Sequence, residues 1–164
     1  MADAFTIRVE GLRPVERRLG RLLARFGDLF PLMDRIGELL ENTTRLRFET
    51  GRSPEGAPWK PSIRAEKEGG KTLVKDGHLR DSITHRASAD RVEIGTNLIY
   101  AAIHQLGGTI RPVRADALVF ELPGGLGLVH AKQVVIPARP YLGVSTSDEA
   151  AIVRLVDRYE EAAA

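Results

Sequence analysis

Apolar positions along the chain switch between a period of two and a period near 3.6, so the pattern alone predicts mixed helix and strand. Phe5, Ile7 and Val9 alternate with Thr6, Arg8 and Glu10 before Gly11, the signature of a short half-buried strand. From Pro14, residues Val15, Leu19, Leu22, Leu23 and Phe26 recur at helical spacing until Gly27, with arginines on the other faces. A longer helix is predicted over residues 31–48, with a stripe of Leu32, Ile36, Leu39, Leu40, Thr43 and Leu46 and a stop at Gly51. The two helices read as an αα pair.

Residues 51–77 abandon both periods. Glycine, proline and mixed charges predict a long loop, and structureless connections beyond ~12 to 15 residues are uncommon except as binding loops or disordered segments. Trp59, the only tryptophan, sits in this run between Pro58 and Pro61. It reads either as a lid on the edge of the core or as the anchor of a loop or arm over 51–75 that orders against another chain.

Leu79 and Ile83 lead into a hairpin over 82–95 that turns at Ala89-Asp90. Residues 98–110 then read as a short helix placing Ile99, Ile103 and Leu106 on a core stripe. Tyr100 and His104 lie in contact beside that stripe, and Gly107-Gly108 reverses the chain into a strand from Thr109. A second hairpin is predicted from 117–122 and 126–136 around Pro123-Gly124-Gly125, and Pro137-Ala138-Arg139-Pro140 interrupts its ladder. Ser147 or Asp148 is expected to cap a closing helix with Ile152, Val153, Leu155, Val156 and Tyr159 inward. The fold class expected is α+β. It comprises a mainly antiparallel sheet of about four to five strands packed by the long helix, flanked by N-terminal and C-terminal helices and the extended loop.

At 164 residues the chain is expected to form a single domain over 1–164 with a core of its own. The absence of cysteine rules out disulfides and thiolate metal sites. No leader-like or membrane-spanning run is visible, so an unexported, membrane-free protein is expected. A pI near 9.1 suggests nucleic acid, yet the formal net charge is only +2 and the bases are not clustered with aromatics. No specific nucleic-acid binding is expected. Charge is uneven along the chain: residues 141–164 hold two arginines against five acids, while residues 51–140 hold thirteen bases against nine acids.

Candidate chemistry is sparse. The histidines at 78, 85, 104 and 130 are not spaced as metal ligands or as part of a nucleophile triad. Gly124-Gly125-Leu126-Gly127 lacks the helix a phosphate-binding loop needs. The expectation is no enzyme, no catalytic residue, no metal and no cofactor. Two other classes are a nucleic-acid-binding regulator, which would need a clustered basic face, and a small hydrolase centred on His104, which would need a pocket around it. Arg139, stiffened between Pro137 and Pro140, suits bidentate contact with a carboxylate.

Taken in order, five motifs resemble the phage virion morphogenesis family, the tail completion proteins and related neck proteins of tailed bacteriophages. They are Gly56-x-x-Trp59 with its lysine-bearing loop, Gly77-x-Leu79-x-x-Ser82-Ile83 and Val92-x-Ile94-Gly95. Tyr100-Ala101-x-Ile103-His104-Gln105-x-Gly107-Gly108 and Ile136-Pro137-Ala138-Arg139-Pro140-Tyr141-Leu142-Gly143 complete the set and are the most specific. Residues 111–129 carry least of the pattern. The resemblance implies a non-catalytic virion subunit that forms a ring, a hexamer, at the head-proximal end of a phage tail and helps join tail to head. Implied partners are further copies of itself, the tail tube or tail terminator, and head–tail connector proteins. Within the motifs, Trp59, Tyr100, His104, Arg139 and Tyr141 are the interaction candidates.

Overall fold

The computed structural model describes residues 13–162, so the strand expected at 5–9 lies outside the described residues. The first helix, α1 (Arg13–Phe26), ends where Gly27 takes a left-handed φ of 74° and its N–H bonds Leu23 O at 2.8 Å. The long helix, α2 (Phe30–Thr50), has Pro31 in its first turn and ends at Gly51 in the left-handed region, whose N–H returns to Arg47 O. The closing helix is α6 (Thr146–Ala162), which packs along α2. The αα pairing differs from expectation: the polar ties of α1 run to α6, where Arg18 pairs with Asp157 at 2.7 Å and with Glu160, and Phe26 meets Tyr159 edge-on.

Among the described residues, six short strands form three separate two-stranded antiparallel ladders rather than one sheet of four to five strands. A short helix, α4 (His78–Asp81), leads into β1 (Thr84–Ala87), which pairs with β2 (Val92–Gly95) as the expected hairpin, in register Ala87 opposite Val92. β4 (Leu118–Leu122) pairs with β5 (Gly127–Ala131) around the expected glycine turn. The predicted strand over 126–136 breaks after Ala131. Its remainder, β6 (Val134–Ile136), leaves the hairpin and pairs with β3 (Gly108–Ile110), the strand that follows Gly107. The α+β class and the antiparallel pairing hold.

The buried apolar residues form two clusters that share α2. Leu32, Met33, Ile36 and Leu40 join Val15 and Leu22 of α1, Leu29, and Ile152 and Val156 of α6, with the β1–β2 hairpin packed against them. In its last turn, α2 delivers Phe48 to a second cluster with Trp59, Leu79, Ile83, Ala101, Tyr141 and Leu142. The buried face of α2 therefore shifts along its length, and the expected stripe is only half right. Leu39 is half-buried and Leu46 exposed, whereas Met33, Thr44, Arg47 and Phe48 are inside. Arg47 evaded the hydrophobic pattern because its burial depends on distant partners, described below.

Gly37, in the interior of α2, costs about 1 kcal/mol in helix propensity relative to alanine. Its use is steric: a Cβ there would overlap the His85 ring, which lies across the helix from β1. That ring is held at both nitrogens, by Glu41 at 2.7 Å and Asp34 at 3.2 Å, both from α2. The Glu41 hydrogen bond, assisted by Asp34, raises the His85 pKa above its ordinary value of 6.5, against the opposing effect of burial.

Candidate functional site: an internal joint and two outer ribbons

The two most specific motifs are far apart in sequence and become one unit. The helix α5 (Ala101–Leu106) ends at Gly107, whose φ is 71° and whose missing Cβ leaves room for the backbone of Ala138, 2.7 Å from where that Cβ would lie. Arg139 N–H donates to His104 O at 2.8 Å. Gln105 does what a strand edge would otherwise do. Its Oε1 accepts from the N–H groups of Tyr141 and Leu142, each at 2.9 Å, and its Nε2 donates to Leu142 O at 3.0 Å. Proline interrupts the ladder at 137 and 140, so a side-chain amide satisfies the backbone that follows.

The buried face of α5 is thus Ala101 and Gln105, not the expected Ile99, Ile103 and Leu106 stripe. Ile99 is 81% exposed and Leu106 is 62% exposed. Hydrophobic periodicity misassigned the helix because a glutamine with three internal hydrogen bonds outcompetes an aliphatic face for the interior. Gly107–Gly108 does turn the chain into β3 as expected.

Beneath the joint lies a buried ion pair. Arg47 donates to Tyr141 O at 2.8 Å and Gly143 O at 2.9 Å, and pairs with Asp148. Burial lowers the Arg47 pKa, and the Asp148 charge opposes that shift. Asp148 also closes a reciprocal capping box on α6: its Oδ2 accepts Ser145 N–H at 2.8 Å, while Ser145 Oγ accepts Asp148 N–H at 3.1 Å. The capping residue is therefore Ser145, two positions before the earliest one expected, with Asp148 as its partner inside the first turn.

The five interaction candidates separate by burial. Tyr141 is fully buried, and its hydroxyl donates to Ala101 O at 2.9 Å; burial raises its pKa. Trp59 is 7% exposed, lies edge-on to Phe48, and donates Nε1–H to Pro140 O at 2.9 Å. Of its two readings the structure has the core one, and no free indole face remains to anchor another chain. The stretch expected as an arm over 51–75 is folded onto the subunit. Trp59 N–H bonds Gly51 O, Arg52 bridges Pro58, and Ser62 caps the short helix α3 (Ile63–Glu68). Arg64 binds the carbonyls of Gly69, Lys71 and Val74.

Arg139 is 6% exposed and donates to the carbonyls of Lys60, at 2.7 Å, and Pro61. The contact lies within the subunit, and its acceptors are backbone carbonyls rather than the expected carboxylate. Prolines explain the difference: Lys60 and Pro61 belong to a segment whose carbonyls have no ladder to join. Burial lowers the Arg139 pKa. Tyr100 and His104 meet edge-on at 6.1 Å, as their spacing predicts, and Tyr100 remains 41% exposed.

A cleft of about 290 Å³ borders Tyr100, His104, Arg139, Leu73 and Leu79. His104 Nδ1 is buried without a hydrogen-bond partner among the described residues, and burial followed by the Arg139 charge lowers its pKa. No hydroxyl or carboxylate among the described residues hydrogen-bonds its ring, and Ser62 Oγ is occupied in capping α3. The base–nucleophile contact a hydrolase needs is not assembled there.

The outer ribbons have the opposite character. Register places Val119 opposite His130 and Glu121 opposite Leu128, so these four share one face of β4–β5, and all four are exposed. Leu126 at the turn, Val113 and Val135 are exposed too. None of the residues of β4 or β5 belongs to either core cluster.

A sequence profile of the phage virion morphogenesis family matches residues 11–160. The chain is 32% identical over 154 residues to "Mu-like prophage FluMu G protein 2" of Haemophilus influenzae, covering 93% of this chain and 94% of that protein. No solved structure matches the chain significantly. The joint that unites the two most specific motifs and this near end-to-end similarity agree: the chain belongs to the phage virion morphogenesis family, with a structural role in the phage virion.

Proposed function

We propose that the chain is a tail completion or neck subunit that acts as one assembly domain, closes into a hexameric ring at the head-proximal end of a phage tail, and helps join tail to head. The observation that carries this reading is the pair of ribbons. A two-stranded ribbon is marginal on its own in water, and these two expose Val119, Leu126, Leu128 and Val135, with outer edges unpaired among the described residues. Exposed apolar side chains on such ribbons suit an interface. A head-to-tail contact repeated around an axis closes a ring, and the faces above and below it remain for unlike neighbours. The tail tube or terminator and the head–tail connector are the neighbours that fit. The protein then works by placing surfaces, without catalysis or cofactor.

Two measurements test the reading. Native mass spectrometry of the full chain should give six times the 18.0 kDa subunit mass. Electron microscopy of tails made without the protein should show complete tubes that fail to join heads. Normal head-joined particles formed without it would overturn the proposal.

A further inference from the structure

The solvent side of α2 and α6 encloses a groove of about 510 Å³ with Leu39 and Leu155 at its floor and Arg35, Glu38, Arg154 and Arg158 around it. None of the three arginines has a hydrogen bond or ion pair among the described residues. Counting charge along the sequence makes residues 141–164 the acidic surface, but folding redistributes it. Asp148 is consumed by Arg47, and Asp157 and Glu160 by Arg18, so the α6 face toward this groove presents arginine. An apolar floor inside a cationic rim suits an acidic partner with apolar side chains.

We infer that the groove receives the β4–β5 ribbon of a second copy of this chain, Val119 and Leu128 seated over Leu39 and Leu155, and Glu121 facing Arg154 and its neighbours. This rests on the ring reading above and specifies which two surfaces meet. Charge argues for that occupant. The exposed ribbon face carries Val119, Glu121, Leu128 and His130, so one carboxylate lies among the apolar residues. The same subunit does not bring them together: β4 and β5 pack chiefly on each other, and their turn is tied to α3 by Gly124 N–H donating to Glu68 at 2.8 Å. The two surfaces differ, so the contact is heterologous and closes only as a ring or continues as a filament.

The native chain has no cysteine, which makes the test clean. Full-length Leu128→Cys and Ala151→Cys variants, the second lining the groove, are mixed under mild oxidation and compared with each variant alone. The mixture should give a disulfide-linked dimer in at least about tenfold excess over either alone. Arg154→Glu in the groove variant should cut that yield about tenfold, the scale of replacing an interfacial attraction by like charge, and Glu121→Arg in its mate should restore it. Thermal melting checks that each variant folds, with Arg35→Glu replacing Arg154→Glu if the latter does not. A ring seen by native mass spectrometry without the mixed cross-link or without charge rescue overturns this interface and leaves the ring reading standing. Cross-linking of Ala151→Cys to itself alone would also overturn it, indicating a symmetric contact or one through another surface. Neither oligomer nor cross-link at high protein concentration would sink the ring reading and this interface together.

Discussion

The joint around α5 and the β4–β5 ribbon are both short regions outside the long helices, yet they dispose of their side chains in opposite ways. At the joint even the polar groups face inward: Gln105 and Arg47 each make three contacts to one neighbouring backbone segment or acid. On the ribbon even the leucines face outward, Leu128 being 64% exposed. Buried polar groups with every partner supplied fix one geometry, because any displacement strands a donor or acceptor. Exposed apolar groups fix nothing alone and gain from association. The difference separates residues that shape the subunit from residues available to assemble it. Distinctive motifs in this chain mark the first kind.

The largest effect expected from breaking this contrast is at Trp59. Trp59→Ala removes an indole packed on Phe48 and its bond to Pro140, and should lower unfolding free energy by ~3 to 5 kcal/mol in denaturant melts. An unchanged melt would return Trp59 to the role of an anchor for another chain. Next is Gly37→Ala, which on propensity alone should stabilise the helix by up to about 1 kcal/mol. Overlap with the His85 ring should instead make it destabilising by ~1 to 3 kcal/mol, again read from denaturant melts.

A smaller effect is pH-dependent. The folded pKa of His85 is raised above 6.5, so its contribution is fully present below pH 6.5 and is lost as pH rises through the folded value. His104 works the other way: with its folded pKa lowered, stability is lost as pH falls below 6.5. The stability advantage of wild type over His85→Gln should therefore shrink between pH 6 and pH 8, measured by urea melts across that range. An advantage that grows with pH would contradict the sign. The smallest effect on folding is at the ribbon. Leu128→Ser should leave unfolding free energy within about 0.5 kcal/mol of wild type while reducing oligomer formation in native mass spectra.

What the sequence shows plainly is whatever is local. Gly27 and Gly51 end their helices, residues 84–95 form their hairpin, and Tyr100 meets His104, all set by spacing within a few residues. What it hides depends on partners far along the chain. Arg47 is inside because Asp148 is 101 positions away, and Gln105 displaces Ile99 and Leu106 from the interior because Tyr141 and Leu142 need an acceptor. Residues 51–75 looked structureless because their order comes from Trp59 and Arg64 binding carbonyls rather than from a repeating period. The strand break after Ala131 was invisible for the same reason: β6 is recruited by β3, more than twenty residues earlier. The groove between α2 and α6 was concealed by charge counting, which cannot see that Arg18 neutralises Asp157 and Glu160.

The separation of a subunit-shaping joint from an exposed ribbon is tested most directly by hydrogen exchange of the protein, compared between dilute subunit and the oligomer that the proposal expects. Amides of residues 101–107, 139 and 141–143 should be protected equally in both states, while amides on the outer edges of 118–131 should gain protection only on assembly. Protection that appears at the joint on assembly, with the ribbon unchanged, would contradict the account.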